Sequence, residues 1–472
     1  MALNKNLLLA LLVAVVGILF YNYNGDISKV RIARGAGFGA TTKKTTTTTP
    51  VKSATPAPVK SGVVASPVAS VVPSGPFSPT NTVPPQPAAY PSADETLMIT
   101  GSYLNDPIVT NALAYVNAVV PAAILNYAPS KYIQYSTVTY TANPTTTCYW
   151  PDAQCTRTTS GTWGAADIVY CNSQNQWGLT YDDAPSVNLV GTTHVNDTYT
   201  IMDGLSALNL KATFFVTGSQ TIYYPDALAA VASAQHHVAH HSWSHHPMTS
   251  LTNAQIVAEM EYTTAAIYKV TGLTMRYFRP PYGDIDDRVR AIVNALGYRI
   301  VIWDGIYDST DADVTANAAS YTTVMNIIKS WFNVPQGFIS LQHTISTFTS
   351  GTSADTLRNI KAMGGINNQM MPVPQCLGDV NWYKNKQITT VWNTCTKPAG
   401  CSGVVQAPQT QASPNPAPLY PVSSTGACSA TAGSCPSGAN CCSQYGYCGQ
   451  DVNGPFCGAG CQPAFSFNGK CA

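Results

Sequence analysis

The sequence predicts an α/β protein built on a barrel of parallel strands, with a small cystine-rich domain appended. Three observations carry that expectation. From Trp177 onward, short apolar runs alternate with segments of helical pattern, which is the trace that parallel strands and crossover helices leave. That stretch spans roughly 250 residues, a size that one barrel fits better than two open sheets. Eight of the 14 cysteines fall between Cys428 and Cys471, as a segment too short to build its own core requires.

The strands are expected at Leu179-Thr180-Tyr181, Ala212 to Val216, Met275 to Phe278, Ile300 to Trp303 and Phe338 to Leu341. The clearest helix starts at Thr252, where Gln255 three residues on completes a capping-box pattern, and Gly272 suits its far end. Another runs from about Asp287 to Leu296 and stops at Gly297. Asn196-Asp197-Thr198 is an N-glycosylation acceptor.

Around this core the chain divides by composition. An apolar run from Leu7 to Phe20 follows Lys5; its length fits a signal peptide and is short for a membrane span. No small-residue cleavage site follows, so an uncleaved anchor is the alternative, and a membrane is a partner only in that case. Lys29, Arg31 and Arg34 beyond the run outnumber Lys5 before it, which disfavours the anchor. The expected organisation is a signal peptide or anchor (1–22), a Thr/Pro-rich stalk (23–92), an N-terminal extension (93–150), the main domain (151–402), a Pro/Ser-rich linker (403–425) and the cystine-rich domain (426–472). The even cysteine count points to an oxidising compartment and a secreted protein. Net charge is +1, which gives no bulk attraction to nucleic acid or acidic lipid. No stable protein partner is implied.

The chemistry is concentrated in two places. Six of the eight histidines lie within His236 to His246. His236 and His240, His237 and His241, and His241 and His245 each stand four apart, which would place each pair on one face of a helical turn. Two imidazoles and a carboxylate make a catalytic zinc set with positions open for water. The carboxylates are Asp182-Asp183 at the end of the first barrel strand, where a barrel keeps its active site; a plain turn before Pro185 is the competing reading. Spacing alone leaves the three histidine pairs and the two acids open.

Thr180-Tyr181-Asp182-Asp183-Ala184-Pro185, His241-Ser242-Trp243-Ser244-His245, Arg279-Pro280-Pro281-Tyr282-Gly283 and Ile339-Ser340-Leu341-Gln342-His343 resemble, in order, four of the five motifs of the polysaccharide deacetylase (NodB-homology) family. The resemblance implies a distorted (β/α) barrel of about seven strands. It implies Asp183, His241 and His245 as metal ligands, Asp182 as general base and His343 as general acid. Arg279 would hold Asp182, the Tyr282 N–H would donate to the oxyanion, and Leu341 with Pro281 would line the substrate pocket. His236, His237, His240 and His246 become second-rank or surface groups. The ion implied is divalent: zinc first, with cobalt or manganese also compatible.

Departures from the family pattern lie at three points. Ala184 stands where glycine is usual, and Thr344 follows His343 where Asp is common. The fourth motif, Asp308-Ser309-Thr310-Asp311, keeps its acid spacing but has Ala312 in place of Trp, two residues further past Trp303 than usual. Asp308 is the expected partner of His343, with Asp304 as its rival.

Cys428, Cys435, Cys441, Cys442, Cys448, Cys457, Cys461 and Cys471 resemble the hevein-type chitin-binding domain. That resemblance implies pairing of Cys428 with Cys442, Cys435 with Cys448, Cys441 with Cys457, and Cys461 with Cys471. It also implies sugar stacking on Tyr445, Tyr447 and Phe456, and an acetamide contact from Ser443. Together the two resemblances imply a secreted, fungal-type chitin deacetylase acting on chitin and its oligosaccharides. A wall-binding protein with an impaired catalytic domain, and a deacetylase of peptidoglycan or acetylated xylan, are the alternatives.

Overall fold

The computed structural model describes residues 77–190 and 193–398, with the backbone of a two-residue pairing between Cys441–Cys442 and Cys448–Gly449. Segment 1–22, the stalk up to residue 76, the linker 403–425 and, apart from that pairing, domain 426–472 lie outside the described residues. So do Ser443, Tyr445, Tyr447, Phe456 and the side chains of the eight C-terminal cysteines.

Eight short strands organise the domain: β1 (Gln176–Gly178), β2 (Thr180–Ala184), β3 (Thr213–Val216), β4 (His237–His240), β5 (Tyr277–Phe278), β6 (Arg299–Ile300), β7 (Phe338–Ile339) and β8 (Gln369–Met371). Strands β2 to β6 form one parallel sheet in the order β6-β5-β4-β3-β2. β1 leads into β2 through Leu179 and pairs in parallel with β7 and β8. Single parallel bridges, Asp182 to His343 and Asp308 to Leu341, carry the ring onward. With β1–β2 taken as one strand, the parallel pairings run β6-β5-β4-β3-β2-β7-Asp308, with β8 paired to β1, and the named strands number seven, as the motifs implied. Every residue of β3 and β4 is buried, as expected of parallel strands covered on both faces.

Three strands are shorter than their apolar runs. Beyond β6 and β7 the ladder continues only as isolated bridges at Val301 and Leu341, and β5 holds Tyr277 and Phe278 alone. The capping box at Thr252 is present in both halves, and the helix it starts, Asn253–Thr271, ends on Gly272 at φ 69°. Asp287–Ala295 is also helical, capped by the Asp286 side chain. Asn196 caps Asp197–Ser206, accepting from the Tyr199 N–H, and Thr198 of the glycosylation acceptor is buried.

The N-terminal extension belongs to the same core. Helix Pro107–Val119 buries Ile108, Val109, Ala112 and Val116, and these share one apolar cluster with the barrel residues Phe214, Val238 and Ile256. The stalk boundary drawn at residue 92 is corrected. Phe77 is only 9% exposed and joins that cluster, while Thr82 O accepts from Thr274 and Ala265 O accepts from Gln86. The prolines of this stretch do not prevent packing, because an extended segment needs only carbonyl acceptors and a few apolar contacts to lie on a finished domain. Disulfides Cys148–Cys155 and Cys171–Cys376 tie the domain together. No helix among the described residues is long and apolar enough to cross a membrane.

Candidate active site

Adjacent residues of a regular strand point to opposite faces, yet Asp182 and Asp183 serve one site. The register between β2 and β3 shifts between Tyr181 and Ala184, and Asp183 has φ 66°. A bulge with a left-handed residue turns a side chain that would otherwise face away. Ala184 is not among the residues of positive φ, so alanine in place of glycine adds no strain there.

The two histidines come from the loop after β4. The expected helical turn is not formed: His237–His240 is a strand and His241 to His246 follow it as loop. His241 and His245 meet because Ser242 and His245 both have positive φ, 64° and 57°, a conformation that costs of order 1–3 kcal/mol per non-glycine residue and must be held by its surroundings. Glu259 does much of that holding. Its buried carboxylate accepts from the N–H groups of Trp243 and Ser244 at 2.7 and 2.8 Å and from Ser244 Oγ at 2.7 Å. Glu259 was missed in the sequence, where a helical glutamate reads as solvated surface.

The result is a three-donor cluster. Asp183, His241 and His245 each place one ligand atom within 4.8 Å of the others. His245 Nε2 lies 2.9 Å and His241 Nε2 3.6 Å from Asp183 Oδ1, and His241 Nε2 is 3.8 Å from Asp182 Oδ2. His241 Nδ1 lies 2.8 Å from the Arg279 carbonyl. A carbonyl can only accept, so Nδ1 carries the proton and Nε2 presents its lone pair to an ion. Burial lowers the His241 pKa to about 4, with Asp182 and Asp183 opposing, so the ring is neutral, as a ligand must be. Two imidazoles and a carboxylate converging in this way fit a divalent metal.

The other four histidines of the run are buried supporting groups, and the surface alternative for them is removed: all six are 6% exposed or less. His236 Nδ1 accepts from Ala212 N–H, and His237 Nδ1 bonds Thr213 Oγ1. His240 spans Ser242 N–H and Met260 O, and His246 Nδ1 pairs with Ser244 Oγ. Burial pushes His236, His237 and His240 down to about 3, so they stay neutral.

Arg279, fully buried, donates from Nη1 to Asp182 Oδ1 and to Thr180 Oγ1, each at 2.8 Å, and from Nη2 to Ser340 O. One Asp182 oxygen is thereby held while the other faces His241. Tyr282, at φ 59° in the turn Pro281–Gly283, sets its ring 4.6 Å from that of His245. Leu341 is buried beside Asp308 and two residues from His343.

The partner of His343 differs from expectation. Asp311, not Asp308 or Asp304, takes the ring: Asp311 Oδ1 is 2.6 Å from His343 Nδ1, and Asp311 Oδ2 accepts the His343 N–H. Asp308 instead accepts from Thr310 N–H, and Asp304 accepts from Ile306 and Tyr307 N–H. The chain turns back at Thr310, φ 54°, and this carries the second acid of the motif to the imidazole. Burial alone would lower the His343 pKa; the Asp311 carboxylate outweighs it and, with Asp183 and Asp182, raises it to about 10.

Residues 170–301 match the family model described as polysaccharide deacetylase. Over 211 residues the chain is 39% identical to chitin deacetylase 1 of Cryptococcus neoformans var. grubii, covering 42% of each protein. Over 251 residues it is 35% identical to the chitin deacetylase of Amylomyces rouxii, covering 52% of this chain and 56% of that one. The chain thus spans about half the length of the curated relatives it matches. Among solved structures, the chitin deacetylase of Colletotrichum lindemuthianum aligns at 23% identity and TM-score 0.41, over 48% of this chain and 98% of that one.

Proposed function

We propose that this chain is a metal-dependent hydrolase that removes N-acetyl groups from chitin, giving chitosan and acetate. The observation that carries the reading is the convergence, on one side, of three ligand atoms and the arginine-held Asp182 and, on the other, of the Asp311-bound imidazole of His343. The relatives named above, each called a chitin deacetylase, supply the substrate.

Asp183, His241 and His245 would hold the ion, which supplies Lewis-acid polarisation and an acidified water when bound. Zinc suits the donor set best, with cobalt or manganese compatible. Asp182 takes the proton of the attacking water on the oxygen that Arg279 leaves free. The Tyr282 N–H donates to the developing oxyanion, and Leu341 and Pro281 line the acetyl group. His343, held protonated by Asp311, gives its proton to the departing nitrogen, since an amine leaves poorly without one.

The C-terminal module, with Tyr445, Tyr447, Phe456 and Ser443, would bind chitin and raise the local concentration of the active site on the insoluble polymer. Its cysteines and the N-terminal apolar run support secretion. Ala312 in place of Trp favours one second reading, a wall-binding protein of impaired activity. Acetate release from N-acetylglucosamine oligomers, measured before and after chelation and again with zinc restored, tests the choice. Release that chelation stops and zinc restores supports the enzyme. No chelator-sensitive release, beside intact chitin binding, overturns it.

A further inference from the structure

The segment from Gln86 to Glu95 lies outside the residues that match the deacetylase family model, yet it touches the loop that carries both histidine ligands. Trp243 stands between His241 and His245. Its indole is stacked on Tyr90, with ring centroids 5.7 Å apart and planes 3° from parallel. Its Nε1–H donates to Ser92 O at 2.9 Å. Gly218 packs against the same indole so closely that any side chain there would collide with it. Three residues beyond the Ser92 contact, the strap is fastened again. Glu95 Oε1 accepts from Ser219 Oγ at 2.6 Å, Gln220 Nε2 at 3.1 Å and Thr217 Oγ1 at 3.4 Å. Those donors follow β3, and Gly218 N–H and Ser219 N–H in turn donate to Ser242 O and Trp243 O of the ligand loop. At its other end, Tyr90 Oη donates to Gln86, whose amide reaches Ala265 O on the helix that carries Glu259.

We infer that residues 86–95 are a positioning strap for the metal-binding loop, with Tyr90 and Glu95 fixing Trp243 and, through it, the spacing of His241 and His245. The physical case is that the loop holds two left-handed non-glycine residues and cannot keep that shape by itself. Glu259 secures its backbone from one side; the strap secures the one large side chain between the ligands. Groups that orient ligands without touching the ion typically alter metal affinity about 10- to 100-fold when removed. The inference rests on the deacetylase reading, because the loop matters through its two ligands.

The test is made on the full chain, stripped of metal and titrated with zinc against a competing chelating dye. Tyr90→Ala should weaken zinc binding about 10-fold, while Tyr90→Phe, which keeps the stack, should bind as the wild type does. Hydrogen exchange should quicken in peptides covering residues 241–246 and stay unchanged in the helix Asn253–Thr271. Glu95→Gln, of nearly equal volume, gives the same readouts should Tyr90→Ala not fold, with a smaller loss expected. Zinc binding in folded Tyr90→Ala equal to that of Tyr90→Phe, with exchange in 241–246 unchanged, overturns the strap and leaves the metal site standing. A wild type whose zinc binding is untouched by His241→Ala overturns the deacetylase site and the strap with it.

Discussion

The proposed ligand half of the site and the proposed proton-donating half are built differently. Asp183, His241 and His245 hang from one continuous parallel sheet, from the bulge in β2 and the loop directly after β4. His343 and Asp311 lie outside such ladders: past the two-residue pairing of β7 with β1, their segments are joined by single bridges, Asp182 to His343 and Asp308 to Leu341. On the sheet, two short motifs suffice, because hydrogen-bonded neighbours fix where each strand ends and so where its loop begins. In the bridged half, the distance between residues in sequence does not set their distance in space. A turn at Thr310 decides which acid arrives.

The largest effect that can break this comparison lies in the ligand half. His241→Ala removes a donor and leaves Asp183 and His245 too few to hold the ion. Acetate release should fall to that of the metal-stripped protein, and bound zinc, measured by atomic emission, should be lost with it. Asp182→Asn should separate the two halves. The amide still accepts from Arg279 but cannot take a proton, so turnover should fall by about 10²–10⁴ while zinc stays bound. Near-normal turnover in Asp182→Asn would move the base elsewhere and erase the distinction drawn between the two adjacent acids.

Asp311→Asn probes the other half at its strongest contact. His343 stands near 10 in the fold against ~6.5 for a free imidazole. The folded pKa is raised, so protonation stabilises the fold: that contribution is complete below about 6.5 and is lost as pH rises through about 10. An acid that must be protonated fails on the alkaline side for the same reason. A dication on Asp183 would offset the push from Asp183 and Asp182, leaving Asp311 as the main support of the imidazolium. Its replacement should lower kcat roughly 10- to 100-fold, short of the full loss of a general acid. The alkaline limb of the kcat–pH profile should move to lower pH. An unmoved limb would mean that His343 does not donate the proton.

The same division accounts for what the sequence made legible. The barrel could be read from alternating apolar runs, and one helix to its caps at Thr252 and Gly272, because these signals are local. The ligand atoms could be narrowed to Asp182-Asp183 and the histidine run. Their selection was beyond spacing: histidines four positions apart suggested a helix where the structure has a strand and a strained loop. The packing of residues 77–92 was hidden by their composition, since prolines and small polar residues look alike whether they trail in solvent or lie in a groove that the rest of the chain supplies. Glu259 was hidden because nothing along the chain marks a helical carboxylate as facing backbone N–H groups fifteen and sixteen residues before it.

The smallest effect is the one that most sharpens the comparison. Asp308 was the expected orienter of His343, and burial does raise its carboxyl to about 6, as active-site acids often show. Yet its Oδ1 accepts from Thr310 N–H at 2.8 Å, which stabilises the turn that delivers Asp311. Asparagine keeps that oxygen. Asp308→Asn should therefore hold kcat within about 3-fold, or ~0.7 kcal/mol, and leave the alkaline limb nearly in place. Asp308→Ala removes the acceptor, frees the turn and should resemble a weakened Asp311→Asn. The order Asp311→Asn, then Asp308→Ala, then Asp308→Asn separates an acid that touches the imidazole from one that shapes the backbone behind it. A larger loss in Asp308→Asn than in Asp311→Asn would return the orienting role to Asp308 and show that the fourth motif works as its spacing first suggested.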